Sequence, residues 1–210
     1  LDMTQGPVFS QVIFFALPIM LSSILQLLFN AADTIVVGRF AGSEALAAVS
    51  SVTPVINLII TLFLGLTTGA GVVVAIYIGA QDEDATEKAV HTAIVIGVIS
   101  GLICTVIGLG VAPFVPGWMN FNEETAKPAS QYLMAYFAGI LPMLMYNMGS
   151  AILRAVGDSK RPFRFLVCGG ILNCILDVLF VAIFHWGVIG AGIASRLAQL
   201  LAASLTKIAL

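Results

Sequence analysis

Four stretches of this chain, 3–32, 45–81, 89–122 and 128–153, contain no Asp, Glu, Lys or Arg. Each is longer than the roughly 20 residues an α-helix needs to cross a bilayer. A core helix of a soluble protein is shorter and carries a polar face. Beyond Arg164 the charges thin to Asp177, Arg196 and Lys207, which leaves room for two further spans. The composition, 60% hydrophobic and 10% charged, lies far from the roughly 25% charged residues of soluble domains. The reading is an all-α polytopic membrane protein, a single unit over 1–210. Its six helices are expected near 10–38, 48–79, 90–114, 129–153, 163–184 and 188–208.

The positions of the basic residues give an orientation. The segment 154–164 holds Arg154, Lys160, Arg161 and Arg164, four of the nine Lys and Arg residues. By the positive-inside rule it faces the cytoplasm. With six spans, the turn carrying Lys88 and both termini, the N-terminus included, then lie inside. The outer loops carry Arg39, Glu44, Glu123, Glu124, Lys127 and His185. A net charge of −2 says little about partners, since most charges lie in short loops, and no basic tract suggests a nucleic-acid partner. No signal-peptide pattern opens the chain.

Several residues invite a functional reading but are better explained by structure. Cys104, Cys168 and Cys174 fall within spans without metal-ligand spacing, so packing is expected of them. His91 and His185 lie near span ends, away from any Cys or acid at ligand spacing. Asp82, Glu83, Asp84 and Glu87 are expected to form a solvated turn that caps the third span. Trp118, Tyr132 and Trp186 fit an interfacial aromatic belt. Gly65-x-x-x-Gly69 and Gly97-x-x-x-Gly101 have the small-residue spacing of packed membrane helices. Pro18 and Pro142 each remove one helical hydrogen bond and favour a kink.

Two acids stand apart. Of eleven Asp and Glu residues, only Asp33 and Asp177 sit well inside expected spans. A carboxylate there is costly and marks an ion or substrate path. Asp33 lies about ten residues, or ~15 Å, from the turn near residue 43. Asp177 and Arg196 lie at a similar depth below the turn near 186–187. Asn173 stacks one helical turn from Asp177. Asp33, Asp177, Asn173, Asn147, Ser195 and Arg196 are therefore expected to converge on one polar layer. Removed from water, a carboxylate favours its neutral form, so such a layer can take up and release a proton. Two acids with Asn and Ser oxygens also suit Na⁺ at Asp33, Asn173 and Asp177. Arg196 could instead pair with Asp177 and keep it ionised as a structural bridge.

At these same residues the chain resembles the multidrug and toxic compound extrusion (MATE) transporters, of the bacterial type. The resemblance rests on Leu153-Arg-Ala-Val-Gly-Asp-Ser-Lys-Arg-Pro162, Asn173-Cys-Ile-Leu-Asp-Val-Leu-Phe180 and Gly187-Val-Ile-Gly-Ala-Gly-Ile-Ala-Ser195. It extends to Leu17-Pro-Ile-Met and Asn30-Ala-Ala-Asp-Thr-Ile-Val-Val-Gly38 in the first span. It implies one six-helix lobe, the N-terminal one, of a twelve-helix, inverted-V transporter. On this basis the C-terminal lobe is absent and the chain is a truncated half, or else a half-size unit that dimerises. The implied activity is efflux of cationic or amphipathic drugs against inward Na⁺ or H⁺, in the bacterial cytoplasmic (inner) membrane, with no cofactor. Asp33, Asp177, Asn173, Ser195 and, more weakly, Asn147 match cation-coupling positions, and Pro18 matches a hinge. Ser195 stands where Thr is commoner. Arg196 departs from the family's usual apolar residue and is a possible modulator of the site.

Other function classes fit less well. An intramembrane aspartyl protease needs a Gly-x-Gly-Asp motif within a span, and Ala155-Val-Gly-Asp158 lacks it. A lipid-linked oligosaccharide flippase of related fold would carry more basic residues than the single in-span Arg196. A channel or passive scaffold would leave both acids as helix braces. No nucleophile–base pair or phosphate-cradling loop points to an enzyme.

Overall fold

The computed structural model describes residues 8–209, and the backbone of these residues is helical without a strand. The expected location of the termini falls on residues 1–7 and 210, outside the described residues. Helix α1 spans Val8–Phe40, α2 Ser43–Gly79 and α3 Glu83–Val111, followed by a single turn, α4, at Val115–Trp118. Helices α5 (Glu123–Ala138) and α6 (Ile140–Ala155) meet at Gly139 with a 45° bend. Helix α7 (Lys160–Asp177) passes directly into a π-helical segment, Val178–Ile183, and α8 covers Gly187–Ala209. Helices α1, α2, α3, α8 and α7 with its π segment are each long and apolar enough to cross a membrane, and so is the bent α5–α6 pair when its two halves are taken as one span.

The regular backbone follows from the solvent. In hydrocarbon each amide must find its partner within the protein, so long uninterrupted helices are favoured. The one broken span has a local cause. Pro142 cannot donate to the carbonyl of residue 138, so the chain interrupts its helix at Gly139 and restarts at Ile140. Pro142 itself then occupies the first turn of α6, where no donor is required. Pro18, by contrast, lies inside an unbroken α1, and the Ser22 hydroxyl donates to the Pro18 carbonyl at 2.7 Å.

Helix α6 holds the centre. It packs against α2, α3 and α8, while α7 and α8 form another extensive pair and α1 leans mainly on α7. The principal core joins Val52 and Ile56 of α2 to Leu133 and Phe137 of α5 and Ile140 and Leu144 of α6. A second cluster ties Val37 of α1 to Val181 of the π segment and Val188 of α8. Much of the remaining apolar surface, such as Phe9, Leu27 and Ile35 of α1, is exposed, as expected of helices solvated by lipid.

Several expectations need correction. The acidic cluster caps the third span as expected, with Asp82 accepting from the Ala85 amide at 2.9 Å, but Glu83 and Asp84 lie in the first turn of α3 itself rather than in a preceding turn. Carboxylates complement the partial positive charge of a helix N-terminus, so the helix extends over them. Tyr132 is not part of an outer aromatic belt, unlike the exposed Trp118 and Trp186; it packs against both core clusters. Cys104 packs beside the core as expected, but Cys168 is exposed. The two small-residue motifs also diverge. A Cβ at Gly101 would come within 3.2 Å of the Leu141 backbone, whereas Gly65 and Gly69 have open space around them. Spacing alone cannot tell a packed face from an open one.

This contrast is testable on the purified full-length protein. Gly101→Val should lower stability by about 1–3 kcal/mol through overpacking. Gly65→Ala should be neutral or raise it by about 0.5–1 kcal/mol through helix propensity. Thermal unfolding in detergent distinguishes them; equal shifts for both variants would contradict the assigned packing.

Candidate functional site

Three helices contribute the polar layer. On α1, Gln26, Asn30 and Asp33 recur at i, i+4 and i+7 and so share one face. On α7, Asn173 and Asp177 stack one turn apart, both buried. On α8, Ser195 and Arg196 are successive residues and therefore diverge by about 100° around the helix. The close approach of α7 and α8 uses small residues: a Cβ at Gly169 would meet the Ala198 carbonyl at 3.1 Å.

These elements bring four of the expected residues into one hydrogen-bonded chain. The Asn173 amide donates to Asp177 Oδ2 at 3.0 Å and to Ser195 Oγ at 3.3 Å. The Ser195 hydroxyl in turn donates to Asp33 Oδ2 at 3.1 Å. Each carboxylate thus has one oxygen engaged. Its other oxygen, Asp33 Oδ1 or Asp177 Oδ1, is buried without a hydrogen-bond partner. The two acids are also close enough to interact directly. Like charges at such range disfavour double ionisation. The arrangement therefore favours a proton or a cation between them.

A cavity of about 310 Å³ opens beside this chain. Asp33, Asn173 and Ser195 line it, whereas Asp177, only 1% exposed, lies behind the wall. An entering ion would reach Asp33 first. Asp177 ends α7 where the backbone changes to π geometry, and the Phe184 amide bonds the Leu179 carbonyl five residues back. Such π segments are frequent at functional sites. Nothing in the residue pattern of 173–184 announces it.

Two expected members of the layer behave differently. Asn147 lines the same cavity but donates to the Met143 carbonyl of its own helix at 2.9 Å, so it stands outside the chain of bonds. Arg196 does not pair with Asp177. Its guanidinium lies over the Tyr136 ring, 4.1 Å from the centroid, and reaches Gln199 Oε1 at 3.5 Å. The divergence of neighbouring residues on α8 turns it toward α5 and α6, away from the acids. The alternative of a structural bridge between Arg196 and Asp177 is thus not realised among the described residues.

Sequence reading also missed part of the wall. Tyr132, Tyr136, Tyr146, Gln26, Asn30, Asn57 and Gln199 all line the cavity. Helical spacing offered a signal: Gln26–Asn30–Asp33 and Tyr132–Tyr136 are polar side chains stacked on single faces inside apolar spans. Among the described residues no group of three or more His, Cys, Asp or Glu side chains could hold a metal ion.

The same geometry predicts a mutational signature. Ser195→Ala leaves Asp33 Oδ2 without its donor and should cost about 1–3 kcal/mol of stability. Ser195→Thr retains the hydroxyl and should stay within about 0.5 kcal/mol of wild type. Thermal unfolding of the two variants side by side checks this, and indistinguishable midpoints would remove Ser195 from the chain.

Comparisons with known proteins place this architecture. Residues 18–179 match the MatE family. The "Probable multidrug resistance protein YpnP" of Bacillus subtilis is 32% identical over 203 residues, covering 94% of this chain and 44% of that protein. The "Multidrug export protein MepA" of Staphylococcus aureus is 24% identical over 199 residues, covering 95% of the chain and 44% of the relative. A solved structure described as MATE in the bent conformation superposes with a TM-score of 0.89 at 30% identity, covering 96% of this chain and 45% of that one. The chain thus spans about half the length of the relatives it matches.

Proposed function

The chain belongs to the MatE family, and on that premise we propose that it is the N-terminal six-helix lobe of a secondary multidrug exporter. The exporter is completed by a second lobe or a second copy of the chain. It expels cationic or amphipathic small molecules across a bacterial cytoplasmic membrane, with segment 154–164 and the N-terminus inside. The observation that carries this reading is the chain Asp33–Ser195–Asn173–Asp177, with one unpartnered oxygen on each acid.

Coupling follows from that chain. An inward-moving H⁺ satisfies one free carboxylate oxygen and relieves the repulsion between the acids. Na⁺ suits the same place, because Asp33, Asp177 and Ser195 offer carboxylate and hydroxyl oxygens, which hard cations prefer. Either ion changes the charge at the cavity wall and so changes the affinity for a cationic drug beside it. A ligand shifts a conformational equilibrium only through such differential affinity. Pro18 lies on the same helix as Asp33 and leaves α1 one hydrogen bond short, which gives that helix a place to bend as the charge changes.

The test is efflux of a fluorescent cationic dye from cells producing the complete transporter. Asp33→Asn and Asp177→Asn should each cut gradient-dependent efflux by about tenfold or more, within the usual range of coupling energies. Undiminished efflux in both variants would sink the coupling role. Removing Na⁺ at fixed pH then separates the two ions: an unchanged rate leaves H⁺ as the driver.

A further inference from the structure

The cavity wall carries a cation that the coupling chain does not use. Arg196 lines the cavity, yet no carboxylate of the described residues forms an ion pair with it; the one ion pair among those residues joins Arg161 to Asp158. Its Nε is buried without a hydrogen-bond partner, and its hydrogen bond to Gln199 is long at 3.5 Å. A charge within a membrane span without a counter-ion is costly. The fold nevertheless makes room for it. Gly139 sits at the break between α5 and α6, and a Cβ there would overlap the Arg196 side chain. The face of Tyr136 fixes the guanidinium plane from one side. Donors of the guanidinium thus remain unused at the edge of a cavity that Asp33 lines from another wall.

Building on the exporter reading above, we propose that Arg196 receives the acidic group of the substrate, so that the preferred substrates are amphiphiles bearing a carboxylate or similar anion, above all zwitterions. A planar guanidinium pairs with a carboxylate through two parallel hydrogen bonds, a geometry that Lys cannot reproduce. The anion supplies the counter-ion that the protein withholds, and the cationic end of a zwitterion is attracted by Asp33. A purely cationic molecule is still attracted by Asp33 but leaves Arg196 uncompensated, so it binds less tightly than a zwitterion of the same shape. Neutral amides such as Asn147 and Gln199 contribute hydrogen bonds without fixing the sign of the charge.

A matched pair of dyes tests the proposal: a rhodamine with a free carboxylate, and the ethyl ester of the same dye. Binding to the purified full-length transporter is read by fluorescence anisotropy, without an ion gradient. The outcome therefore does not depend on whether Asp33 and Asp177 couple an ion. Wild-type protein should bind the free acid several-fold more tightly than the ester; equal or reversed affinities overturn the proposal with no variant involved. Arg196→Gln should weaken the free acid by about tenfold or more, the scale of a lost charge-assisted bond, and leave the ester unchanged or tighter. Arg196→Lys should recover part of the loss. Equal weakening of both dyes by Arg196→Gln would assign the residue to packing instead.

Discussion

The absence of water inside the bilayer governs this molecule. Every amide and every polar side chain within the spans must find a partner in the protein or accept a penalty. Most of the chain complies by forming long helices whose Thr and Ser hydroxyls donate to carbonyls one turn back, as Thr53 does to Val49 and Thr105 to Gly101. Departures from regular helix are therefore informative. Within the spans they fall at Gly139 and at Val178–Ile183, each beside a residue of the polar layer. The first makes space for Arg196. The second begins at the buried Asp177.

Around that cavity the polar groups divide into two sets with opposite signs. Asp33 and Asp177 are joined through Ser195 and Asn173, and their surplus of acceptors calls for a positive species. Arg196, braced by Tyr136 and Gln199, has a surplus of donors and calls for a negative one. Helix α8 contributes to both through successive residues, because a rotation of about 100° between neighbours sends Ser195 to α1 and α7 and Arg196 to α5 and α6. Movement of α8 would therefore affect both sets together, which is the physical basis of the proposed linkage between ion and substrate.

The sequence was most informative where a single residue breaks a uniform background. Asp33 and Asp177 are conspicuous because their surroundings are apolar, and counting 1.5 Å per residue from the turns put them at one level. Ser195 and Asn173 followed from the same count. The arithmetic was weaker for Asn147, whose depth agrees but whose side chain bonds its own helix. Arg196 lines the same cavity at the expected depth but turns to Tyr136, away from Asp177, because depth is insensitive to rotation about the helix axis. Small-residue spacing did not separate Gly65 and Gly69, which have open space around them, from Gly97 and Gly101, which face neighbouring helices.

The sequence by itself determined the solvent, the helical class and the presence of buried carboxylates. These depend on hydrophobicity and on rise per residue, which are local quantities. Only the tertiary structure decided which donors reach which acids and that Asp177 lies behind the wall while Asp33 lines it. It alone located the break at Gly139 and left Arg196 without a counter-ion. Those outcomes depend on the azimuth of each helix against its neighbours and on where a proline or π turn resets that azimuth. Both are set by packing between segments far apart in the chain, such as α1 against α7 and α8 against α6.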